Sequence, residues 1–83
     1  MNIQLIQGQF PARDAVAIIT EMINVKVKYH ESKILSTSNE EDIKHRETKI
    51  KQLQKELFEA NKDLITRSKD LKIETIIRIE EAH

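Results

Sequence analysis

The chain has 83 residues, 34% of them charged and 4% aromatic, with one glycine, one proline and no cysteine. The missing cysteine excludes a disulfide framework and every thiolate zinc site. The balance of 14 basic against 14 acidic residues excludes a net-charge pull toward nucleic acid or an anionic membrane. Chains this short bury too small a share of their surface to be comfortably stable alone, and without disulfides the expected remedy is a partner subunit. No run approaches the ~20 apolar residues of a membrane span. The opening MNIQLIQGQF has neither a basic leader nor a long apolar core, so no signal peptide is expected. The expected location is cytoplasmic.

Charge is unevenly spread. Residues 1–38 carry seven charged side chains and residues 39–83 carry 21, so the greasier first half is expected to need a cover.

In chain order, Asn2–Gln7 roughly alternates apolar with polar side chains, the period of a half-buried strand over 2–7. Gly8 and Pro11 bracket its end, and Pro11 suits the opening of a helix, where its missing N–H costs nothing. From there Ala12, Ala15, Val16, Ile18, Ile19, Met22, Ile23, Val27, His30 and Ile34 recur at three and four, predicting a helix over 12–35 with a broad apolar stripe. The alternation of Val25, Val27 and Tyr29 with Lys26 and Lys28 also fits a strand. The helix is preferred because no turn residue other than Asn24 interrupts the run.

Ser36-Thr37-Ser38-Asn39 is the polar break, predicted as a turn over 36–39 that folds two helices into antiparallel neighbours. Ser38 followed by Glu41 fits a capping box, and Glu40, Glu41 and Asp42 complement the positive end of the helix dipole. The second helix, expected over 40–70, has Ile43, Ile50, Leu57, Leu64 and Leu71 every seventh residue, with Arg46, Leu53, Ala60 and Arg67 interleaved, the a/d pattern of a coiled coil. Glu40–Lys44, Asp42–Arg46, Glu47–Lys51 and Asp63–Arg67 place acid four residues before base, the favourable orientation on a helix. Beyond Leu71 the heptad fails. Ile73, Thr75, Ile77 and Ile79 alternate with charged residues and predict a strand over 72–80, in preference to a continued helix, which the spacing of Ile73, Ile76 and Ile77 also permits. The expected fold is mainly α, a β-α-α-β single domain over 1–83. Its helical hairpin is expected to dimerise into a four-helix arrangement, with the greasy first helices inside and the charged second helices partly outside.

Candidate sites are few. His30 and His45 are equidistant from the turn, and an antiparallel hairpin would set them side by side with Glu31 and Glu41 near. Two imidazoles without a third ligand at short spacing are a weak zinc signal, so no metal and no cofactor is expected. Ser32, Ser36, Thr37, Ser38 and Ser68 lack a nucleophile elbow, and one glycine cannot build a phosphate-cradling loop, so no enzyme is expected. Lys26, Lys28, Lys33, Lys44, Lys49, Lys51, Lys55 and Lys62 define an alternative, a small regulatory dimer that binds nucleic acid through lysine-bearing helix faces. Acids are interspersed among them and only Phe10, Tyr29 and Phe58 could stack on bases, which makes that partner the less favoured. Arg46 and Arg67 at seam positions either cover apolar surface with their stems or set the helix register. Ile6 and Ile76 break the alternation of their strands and are expected to meet on the outer sheet face. The expected role is a non-enzymatic homodimeric interaction, scaffold or accessory protein. Its oligomerisation interface is expected at Val16, Ile19, Ile23, Ile50, Leu53, Leu57, Leu64, Ile6 and Ile76.

Overall fold

The computed structural model describes residues 1–66 and 69–82. The order is β1 (Asn2–Phe10), α1 (Ala12–Leu35), α2 (Glu40–Leu64) and β2 (Leu71–Arg78). The two helices form a hairpin, and the two strands form an antiparallel ribbon at its open end. The strand expected over 2–7 runs on to Phe10, and the Val25–Tyr29 stretch is helical throughout. β-branched residues cost a helix only tenths of a kcal/mol each, up to about 0.7, and burial of Val27 on α1 outweighs that cost.

Pro11 caps α1 from an extended conformation (φ −54°, ψ 148°), and its carbonyl accepts the first helical hydrogen bond from the Ala15 amide (2.9 Å). The break between the helices uses Asn39, not Ser38, as the cap of α2. The Asn39 Oδ1 accepts from the Asp42 amide at 3.0 Å, and the Thr37 hydroxyl accepts from the Asn39 amide at 3.2 Å. Asp42 thus occupies the position a capping box gives to Glu or Gln, and its carboxylate turns along the helix to Arg46. α2 ends at Leu64, six residues short of the expected 70; Ile65 and Thr66 turn away. Ser68 and the expected partners of Asp63 and of the seam at Arg67 lie outside the described residues.

The ribbon resolves the broken alternation of β1. Ile3 pairs with Ile77 and Gln4 with Ile76, but Ile6 pairs with Thr75, leaving Leu5 without a partner in the ladder. This is a β-bulge, which adds one residue to one strand and so shifts the side-chain phase by one. Cross-strand partners share a face. Ile3, Ile6, Gly8 and Phe10 therefore lie on one side with Ile77, Thr75, Ile73 and Leu71. The Gln4 amide nitrogen donates to the Ile6 carbonyl (3.1 Å) and the Thr75 carbonyl (3.4 Å), satisfying backbone acceptors at the irregularity. The expected contact between Ile6 and Ile76 is therefore absent: Ile6 is half-buried opposite Thr75, and Ile76 is exposed opposite Gln4. Gly8 takes φ +158°, and Phe10 leans over it, with ring atoms 3.7 Å from where a Cβ would stand.

Ribbon and hairpin meet over a small area. α1 approaches both strands, and α2 approaches neither. The molecule is long and flat, 46 × 32 × 15 Å, with a radius of gyration of 15.5 Å; a compact chain of this length has about 12 Å. Among the described residues only Ala15, Val27 and His30 are buried, and α2 contributes none of them. No helix among the described residues is long and apolar enough to cross a membrane.

Candidate functional site

The seam between the helices is set by a polar contact. Arg46 donates from Nη1 to the His30 Nδ1 at 3.1 Å, and from Nε to the Asp42 carboxylate at 3.2 Å. A guanidinium only donates, so His30 Nδ1 must be the acceptor and its proton sits on Nε2. That Nε2 is buried and has no hydrogen-bond partner. Burial, followed by the positive charges of Arg46, Lys26, His45 and Lys49, holds the His30 pKa below 6.5. The Tyr29 ring completes the group, meeting His30 edge-on (centroids 5.6 Å apart) and lying 5.7 Å from the Lys33 ammonium and 5.8 Å from the Arg46 guanidinium. His30 thus faces Arg46 rather than a second imidazole. Among the described residues no three His, Cys, Asp or Glu side chains converge as metal ligands would.

With His30 level with Arg46, antiparallel helices bring Val27 level with Ile50, Ile23 with Leu53, Ile19 with Leu57 and Val16 with Ala60. All the residues expected at the subunit interface on the helices (Val16, Ile19, Ile23, Ile50, Leu53, Leu57 and Leu64) are half-buried along this intramolecular seam. The heptad of α2 is therefore used, at least in part, within one chain. Arg46 does both things considered for it. Its side chain is 21% exposed, covering the seam, and its hydrogen bond to His30 ties the two helices in register.

α1 has more apolar surface than α2 covers. At about 100° per residue, its apolar side chains from Val25 round to Val27 span roughly 200° of the circumference, about twice the width one packed neighbour requires. Beside the seam runs a second apolar stripe, Ile18, Met22, Val25 and Tyr29, spaced four, three and four, whose last member also meets Arg46 of α2. Ile18 and Met22 are half-buried, whereas Val25 and Tyr29 are 70% and 54% exposed. The ribbon adds Ile3, Leu5, Ile77 and Ile79, all exposed. The 4-3-4 spacing of the second stripe is visible in the sequence. It is masked there by the seam stripe on the same helix, because the two overlap into one broad pattern.

Among the described residues, open grooves flank the hairpin. One, of about 340 Å³, is lined by Ala12, Arg13, Val16 and Ile65. Another, of about 320 Å³, is lined by Glu31, Ile34, Leu35 and Ile50. Each has a single charged side chain on an apolar lining, without the converging polar groups that orient a substrate. Comparisons with protein-family models, with curated proteins and with solved structures return no match to this chain.

Proposed function

We propose that this chain is a non-enzymatic homo-oligomeric interaction or accessory protein that acts through the surfaces of its helical hairpin. The observation that carries this reading is the area left in contact with solvent. One chain exposes 7010 Å², whereas a compact monomer of 9.7 kDa exposes about 5,100 Å². The excess, roughly 1,900 Å², is more than twice the ~800 Å² that each partner buries in a standard interface. The apolar residues named above contribute to it, and no large side chain among the described residues is fully buried. Light scattering after size exclusion, over a dilution series with circular dichroism on the same samples, tests the reading. A mass of twice 9.7 kDa, with helicity lost as it dissociates, is expected; a folded monomer at every concentration overturns it.

A second reading, a nucleic-acid-binding dimer, draws on the cationic group at Tyr29 and His30, where Lys33 and Arg46 lie over the Tyr29 ring and the charges of Lys26 and Lys49 act on His30. It requires binding of duplex or single-stranded probes at low salt that weakens steeply as salt rises. Absence of a shift at low salt excludes it.

A further inference from the structure

We infer that the outer stripe of α1 is a self-docking surface for the α1 of a second copy, packed antiparallel, which makes a four-helix layer with both α1 helices inside. This rests on the oligomer reading above and adds which face, which direction and which register. Ile18, Met22, Val25 and Tyr29 occupy successive d, a, d and a positions of a short heptad run. A two-fold axis beside residues 23 and 24 sets Met22 against the partner's Val25, and Ile18 against the partner's Tyr29. Large side chains are thus paired with medium ones throughout.

Charge selects the direction. In the antiparallel arrangement the positions flanking the seam on one side are Glu21 and Lys28, and Glu21 comes level with the partner's Lys28. The two-fold axis makes this attraction twice. Both residues are exposed in the single chain. On the other flank Lys26 is level with the partner's Ile19, so no like charges oppose. A parallel arrangement would instead set Glu21 against the partner's Lys26 and Lys28 against the partner's Lys33, so that attraction and repulsion offset each other. The outward faces of α2, rich in Lys and Glu, remain in water, as the uneven charge of the two halves requires.

The test uses the full chain and charge reversal. Glu21→Lys alone, or Lys28→Glu alone, turns two attractions into two repulsions and is expected to raise the dimer dissociation constant on the order of tenfold at low salt. The double variant Glu21→Lys/Lys28→Glu restores the pairs and is expected to return the constant to that of the wild type. Because the chain has no cysteine, mixing Met22→Cys with Val25→Cys chains under mild oxidation gives a clean second readout. The mixed disulfide dimer is expected to exceed either self-linked dimer. A wild type that is monomeric throughout defeats the oligomer reading itself, and this inference with it. A stable dimer that ignores both reversals and forms no preferred mixed disulfide leaves that reading intact and overturns the α1 interface. Loss of such a dimer in Ile77→Glu would then place the contact on the ribbon. Weakening by both single reversals without rescue by the double variant overturns the antiparallel register.

Discussion

At the scale of single residues, the most constrained side chain is His30, whose neutral ring accepts from Arg46 while Arg46, Lys26, His45 and Lys49 oppose its charging. Glu31, its sequence neighbour, is exposed, and Asp42 is engaged by Arg46. With its pKa below 6.5 in the folded chain, His30 binds fewer protons folded than unfolded between the two values. Its contribution to stability is therefore complete above about pH 6.5 and is lost as pH falls through that interval. Glutamine keeps an acceptor for Arg46 but does not titrate. His30→Gln is accordingly expected to lose less stability than the wild type between about pH 7.5 and about pH 5, read as the shift of the urea midpoint. At the hairpin turn, Asn39→Ala removes the acceptor for the Asp42 amide and is expected to cost about 1 kcal/mol by the same measurement. Ser38→Ala, one residue earlier, should cost less, because it caps nothing.

At the scale of elements, the β-bulge is what allows β1 to keep one apolar face. Ile3 and Ile6 differ by an odd number of residues, yet both share the face of Thr75 and Ile77. Deleting Leu5 would preserve every cross-strand pair and make the ladder regular, so ΔLeu5 is expected to fold with unchanged far-ultraviolet circular dichroism. Deleting Gln7 instead closes the bulge by setting Leu5 opposite Thr75 and Ile6 opposite Glu74, so leucine replaces isoleucine on the apolar face and Ile6 moves to the polar one; its thermal midpoint is expected to fall further than that of ΔLeu5. In the hairpin, Leu57 lies in the seam within one chain. Leu57→Ala is therefore expected to destabilise the folded chain by about 1.5–3 kcal/mol, less than for a fully enclosed leucine, rather than only separate subunits. Leu57→Asp is expected to lose helicity as well as mass.

At the scale of the molecule, a flat hairpin with a projecting ribbon leaves apolar surface on α1 and on the sheet that one chain cannot enclose. If association supplies the missing cover, stability depends on concentration by mass action. The thermal midpoint is then expected to fall by several degrees on about hundredfold dilution, whereas a self-sufficient monomer has a midpoint independent of concentration. Calorimetry at two concentrations distinguishes them.

The sequence by itself determined the order β-α-α-β, the position of the turn at residues 36–39 and the heptad face of α2. These follow from side-chain periodicity and from turn residues, which act within a few positions along the chain. It also determined that α1 is apolar over more than one face. Only the tertiary structure decided how those faces are shared. The strands' own pairing placed the bulge at Leu5 and separated Ile6 from Ile76, because phase along a strand is set by the partner strand. The contact between Arg46 and His30 fixed which residues of the two helices are level, which assigned Val16, Ile19 and Ile23 to the seam, left Ile18, Met22 and Val25 outside it and set Tyr29 at its edge beside Arg46. A helix reports the angles between its own side chains; only a neighbour packed against it says which of those angles are covered.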